Sequence, residues 1–170
     1  MADRLADEWT LPKFRRHGPG RVTSGAWSGV QVGLVKPTTF MNLSGRVIPL
    51  LLNESGFDFT RDLLIAVDDA AIPLGTFRLR ARGSAGGHNG LKSIEAALQS
   101  QEYARLRIGV GPVPEDCDDL SEFVLAPFAH EELALLETRW PVMVDAVGCW
   151  VHDGIEEAMR QYNHLGNQTE

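Results

Sequence analysis

Three short stretches carry residue types suited to the hydrolysis of an ester or amide: Phe40-Met41-Asn42, Asp68-Asp69 and His88-Asn89. A carboxylate can orient a histidine and stabilise the imidazolium that forms when the ring takes a proton from water near neutral pH. An asparagine offers both a donor and an acceptor, so it can hold a substrate amide or a developing oxyanion without changing its charge. Each residue also has a plainer reading when taken alone. Asn42 or Ser44 suits a helix N-cap, Asp68 a cap or loop, and His88-Asn89 a turn among glycines that supply unusual backbone angles.

The run Gly83-Ser-Ala-Gly-Gly-His-Asn-Gly-Leu-Lys-Ser invites comparison with phosphate loops and fails it. A Walker loop sets lysine directly after its second glycine, whereas Leu91 separates Gly90 from Lys92. Ile108-Gly-Val-Gly-Pro fails the dinucleotide fingerprint, because Pro114 stands where the third glycine belongs. Nucleotide hydrolysis is thereby set aside. Two cysteines, Cys117 and Cys149, are too few and too far apart to read as a metal site or a disulfide framework. No metal or cofactor is expected.

A net charge of -7 and a pI near 5.2 argue mildly against a nucleic-acid partner, but the charges are unevenly spread. Between Thr76 and Arg107 stand Arg78, Arg80, Arg82, Lys92, Arg105 and Arg107 against Glu95 and Glu102. From Ile108 to Thr138 there are eight acids, starting with Glu115, Asp116, Asp118, Asp119 and Glu122, and no Lys or Arg. One basic stripe inside an acidic protein can hold a phosphate backbone while the rest repels it. A solvated strand face beside a helix would give the same pattern.

The elements that must position these groups follow from periodicity. Met1–Trp9 has the spacing of an amphipathic helix, and Arg21–Trp27 with Val30–Lys36 reads as a hairpin around Ser28-Gly29. A helix after Ser44 should bury Val47, Leu50, Leu51 and Leu52, with Pro49 near its first turn. Leu63–Val67 looks like a buried parallel strand ending in Asp68-Asp69. Further strands are expected at Gly75–Arg80 and Leu106–Val110, and helices through Leu98, over His130–Trp150 despite Pro141, and over Gly154–Asn163. With 170 residues, 44% of them hydrophobic, the chain should make one domain. The expected fold is an α/β sandwich with a mixed, mostly parallel central sheet flanked by helices. No apolar run is long enough to span a membrane, and a reduced cytoplasmic protein is the default.

Lys36-Pro-Thr-Thr-Phe-Met-Asn-Leu-Ser-Gly and Gly83-Ser-Ala-Gly-Gly-His-Asn-Gly-Leu-Lys-Ser-Ile together resemble the signatures of the bacterial peptidyl-tRNA hydrolases. Ile72-Pro73-Leu74-Gly75, Tyr103-Ala-Arg-Leu-Arg-Ile-Gly-Val-Gly and Phe123-Val-Leu fall in that family's order. The resemblance implies a monomeric, metal-free esterase that frees tRNA from peptidyl-tRNA. It implies that Asp68 orients the catalytic histidine and that Asn42 and Asn89 hold the substrate and its attacking water. Phe40 would line the site near the RNA end, Arg80 and Arg107 would meet the tRNA backbone, and His88 would shape the loop without being the general base. The family normally opens with a strand, a Gly-Asn-Pro-Gly loop and a Thr-Arg-His-Asn stretch before a helix like Met1–Trp9. The chain is therefore expected to lack the segment bearing the catalytic histidine, for which His17 is no substitute. Hydrolysis of peptidyl-tRNA is the expected function of the complete form. The alternative is a catalytically inactive member of the same fold that binds RNA. A generic hydrolase of small esters would leave the basic stripe unexplained.

Overall fold

Ser28 and Gly29 both have positive φ, 46° and 83°, which is the requirement of a tight two-residue hairpin turn. They join β2 (Gly20–Trp27) to β3 (Val30–Pro37) in the register that pairs Trp27 with Val30 and Arg21 with Lys36. A short strand, β1 (Arg15–His17), pairs antiparallel with β2 to complete a three-stranded sheet of order β1-β2-β3. The computed structural model describes residues 1–114, 117 and 119–165. It divides into two units: Met1–Leu63 with Arg82–Tyr103, and Leu64–Ala81 with the chain from Ala104 onward. Of the acidic run, Glu115, Asp116 and Asp118 lie outside the described residues.

In the first unit, α1 (Ala2–Glu8) buries Leu5 and Ala6, and Trp9 just beyond it stacks on Trp27 with ring centroids 4.5 Å apart. Lys36 sits 4.1 Å over the Phe14 ring and pairs with Asp3. After β3 the chain forms a 3₁₀ helix, Met41–Val47, that runs into α2 (Ile48–Leu52) with Pro49 in its first turn. Neither expected cap is used: Asn42 lies inside the 3₁₀ turn, and the Ser44 hydroxyl donates back to the Met41 carbonyl at 2.8 Å. The buried face is also narrower than expected. Val47 and Ile48 are buried, whereas Leu50 and Leu51 are half-buried and Leu52 is exposed, because a five-residue helix offers only one turn to the core. A short α3 (Phe59–Asp62) is capped by Asp58, whose carboxylate accepts from the Thr60 amide. α4 (Asn89–Leu98) buries Leu91, Ile94 and Leu98 on one face.

The second unit is built on β4 (Leu64–Pro73), β5 (Phe77–Arg80) and β6 (Ala104–Gly111), in the order β4-β6-β5. β4 runs parallel to β6 and β5 antiparallel to it, so the fold is α/β with the expected mixed sheet. Its parallel content is a single strand pair, less than the mostly parallel sheet expected. Only Leu74–Thr76 separates β4 from β5, and three residues can reverse a strand but cannot carry it back for a parallel return. β4 also continues to Pro73, so Asp68 and Asp69 stand within the strand and not beyond its end. Gly109 and Gly111 permit this. A Cβ at Gly109 would lie 2.0 Å from the Pro73 carbonyl oxygen, and one at Gly111 would lie 2.3 Å from that of Ala70. Helices α5 (Leu120–Leu125), α6 (His130–Asp153) and α7 (Ile155–Tyr162) follow, with Pro141 accommodated inside α6. α7 packs on α6 and on β5. Phe77, Leu79, Leu106, Met143, Ala146 and Ala158 are fully buried in this unit. Among the described residues no helix is long and apolar enough to cross a membrane.

Candidate functional site

The two long sequence motifs meet in the first unit. The Gly45 amide donates to the Ser93 hydroxyl at 3.0 Å, joining the 3₁₀ helix to α4. A Cβ on Gly45 would stand 2.1 Å from the Ser93 carbonyl oxygen, and one on Gly90 would stand 2.6 Å from the Met41 sulfur. Gly45 is therefore demanded by a close backbone approach, whereas a Cβ at Gly90 would meet the side chains of Met41 and His88. The contact brings the start of the 3₁₀ helix to the start of α4. Asn42 follows Met41 and Asn89 precedes Gly90, and both asparagines are exposed. Phe40, one residue before the 3₁₀ helix, is 81% exposed, which is unusual for a phenylalanine.

His88 has a defined task at the same place. It is the N-cap of α4, with Nδ1 accepting from the amides of Gly90 at 3.1 Å and Leu91 at 3.2 Å. An accepting Nδ1 carries no proton, so this hydrogen-bond pattern assigns the ring proton to Nε2. Gly86 and Gly87, both at positive φ, turn the chain into that cap.

The second unit holds Asp68, Arg80 and Arg107. The antiparallel register of β5 and β6 sets Arg78 opposite Arg107 and Arg80 opposite Arg105. Directly opposed residues share a face, so all four arginines lie on one side of the sheet. This face is more than a solvated surface. Arg105 is only 2% exposed, and Arg107 pairs with Asp69, itself buried on β4. Partial desolvation, followed by the charges of Arg78 and Arg107, eases the Arg80 guanidinium below its ordinary value. It remains charged at any physiological pH. Asp68 has the opposite orientation. It is registered with Ile108, which is registered with Phe77, so the carboxylate rises from the face that carries Leu79 and Leu106. The strand thus sends Asp69 to the arginines and Asp68 away from them. Asp69 was given no role from sequence, although its place beside Asp68 on an alternating strand was the available signal.

Residues 1–170 match the family model described as peptidyl-tRNA hydrolase. A peptidyl-tRNA hydrolase of Gemmatimonas aurantiaca is 44% identical over 161 residues, covering 94% of this chain and 85% of that protein. The chain belongs to the peptidyl-tRNA hydrolase family. A family member from Lachnospira eligens is 41% identical over 163 residues, covering 96% of this chain and 87% of that protein. The crystal structure of the peptidyl-tRNA hydrolase from Acinetobacter baumannii superposes with a TM-score of 0.85 at 30% identity, covering 95% of this chain and 82% of that one. The family match runs through residues 1–170 and lends no support to the expectation of an absent opening segment.

Proposed function

We propose that this chain hydrolyses the ester joining a peptide to the terminal ribose of tRNA, acting as a single-domain, cytoplasmic monomer. The observation that carries the reading is the group presented where the 3₁₀ helix meets α4: an exposed Phe40 with the exposed amides of Asn42 and Asn89. An exposed aromatic suits stacking of an unpaired RNA end, the usual way single-stranded RNA is held. The two amides hold the substrate carbonyl and the attacking water. Asp68 supplies a carboxylate suited to orienting a general-base imidazole and stabilising its imidazolium, a role the sequence resemblance assigns to none of the chain's five histidines. The water oxygen adds to the ester carbonyl, the bond to the ribose oxygen breaks, and that oxygen receives the proton. Arg80 and Arg107 hold backbone phosphates, which fix register without reading sequence.

Purified protein assayed on N-acetylaminoacyl-tRNA should release free tRNA. Asp68→Asn should lower kcat by roughly 10²–10⁴-fold with little change in KM, because the carboxylate acts on a charge that exists only in the transition state. Tight tRNA binding without turnover in the parent protein would instead support the catalytically inactive RNA-binding alternative.

A further inference from the structure

Strand β5 is an edge strand of its sheet, so alternate backbone groups along it have no strand neighbour. At Leu79, which lies between Arg78 and Arg80, a side chain takes the neighbour's place. The Leu79 amide donates to Asn163 Oδ1 at 2.8 Å, and Asn163 Nδ2 donates to the Leu79 carbonyl at 3.2 Å. The asparagine amide presents one acceptor and one donor, as a peptide unit of an adjoining strand would. Asn163 ends α7, and its own amide donates to the Met159 carbonyl at 3.2 Å. A second tie lies close by. Arg139 donates from Nε to the Gly75 carbonyl at 2.8 Å and from Nη2 to the Leu165 carbonyl at 2.6 Å, linking the turn before β5 to the chain just after α7.

Four arginines stand opposite one another in two cross-strand pairs, with the Arg107 charge answered by Asp69. β5 has only four residues to keep that register. We propose that Asn163 is a positioning residue for tRNA: by completing the edge of β5 at Leu79 it holds Arg78 and Arg80 in register with Arg107 and Arg105. The proposal rests on the reading that the arginine face binds tRNA phosphates. Asn163 itself touches no substrate and acts through the strand.

The experiment compares parent, Asn163→Ala, Asn163→Asp, the pair Arg78→Ala/Arg80→Ala, and that pair combined with Asn163→Ala. Each is titrated with tRNA at several salt concentrations, and melting is recorded alongside. Asn163→Asp keeps the size and the acceptor but faces the Leu79 carbonyl with a carboxylate, so it serves if Asn163→Ala folds poorly. Losing one or two hydrogen bonds should weaken tRNA binding roughly three- to tenfold in the single variants. Amide exchange at Leu79 should accelerate. In the background lacking Arg78 and Arg80, Asn163→Ala should change binding by less than about twofold, since neighbours acting through one element are not additive. An undiminished Asn163 effect in that background overturns the proposal, as does parent-like binding by Asn163→Asp when the arginine pair variant is impaired. Parent-like binding by the arginine pair variant overturns the reading of the arginine face and the proposal with it.

Discussion

Gly45 gives its amide to the Ser93 hydroxyl at 3.0 Å with no room for a side chain between the two segments. The partner atom that a methyl group would meet is a backbone carbonyl oxygen, which cannot rotate aside. Gly45→Ala should therefore force the 3₁₀ helix off α4 and destabilise by about 1–3 kcal/mol, the usual range for overpacking. Thermal denaturation should fall by several degrees, at roughly 2–4 °C per kcal/mol for a chain of this size. A melting temperature unchanged from the parent would mean the two segments separate freely.

The N-cap made by His88 makes a second distinction measurable. His88→Asn should retain near-parent stability and turnover, because asparagine is among the best N-cap acceptors. His88→Ala should lose about 0.5–2 kcal/mol by the same argument. If His88→Asn kept its melting temperature and lost turnover a hundredfold or more, the histidine would be a proton carrier and the cap incidental.

The arginines should not respond alike. Arg80 is exposed, and Arg80→Ala should weaken tRNA binding and flatten its salt dependence by ~0.7–0.9 in log–log slope per phosphate released. Arg107→Ala should also lower stability, because it strands the buried Asp69 carboxylate. Adding Asp69→Asn should recover that stability while leaving the binding defect in place. Equal melting temperatures for Arg107→Ala and parent would show the ion pair to be without consequence.

The last expectation concerns acid. The hydrogen bond from Arg160, and next that from Gln161, hold the Glu157 carboxyl down to about 2, against an ordinary value of 4.5. A depressed folded value means the stabilisation is present above about 4.5 and is lost as pH falls through about 2. The stability advantage of parent over Glu157→Gln should thus shrink steadily across that window, and it should be smaller in high salt because the pair is on the surface. An advantage that stays constant down to pH 2 would show that the pair contributes nothing.

Local chemistry made part of this molecule legible. Ser28-Gly29 announced its hairpin because the turn's two positive φ values suit few residue types, and the alternation of Arg78 with Arg80 announced a shared face. What stayed hidden was set over long range. Nothing between Arg80 and Arg105 in sequence states that they are opposed; that follows from the strand register, which buried Phe77, Leu79 and Leu106 fix from the other face. Asn42 matched a cap by type, yet the packing of Gly45 on Ser93 placed it inside a tighter helix. Asp68-Asp69 looked like a strand's end because acids commonly stand there. The close approach allowed by Gly109 and Gly111, some forty residues later, lets the strand continue.

The opposite orientation of Asp68 and Asp69 bears on how this segment tolerates insertion and deletion. A strand has a period of two, so one residue gained or lost between Leu64 and Val67 would rotate each acid to its neighbour's side. The carboxylate that now answers Arg107 would turn to the apolar face, and the other would arrive beside the arginines. Such a change keeps both acids and the composition intact, yet it exchanges their assignments. A two-residue change would restore orientation and alter only the strand's length. Length variation tolerated in this segment should therefore come in even steps.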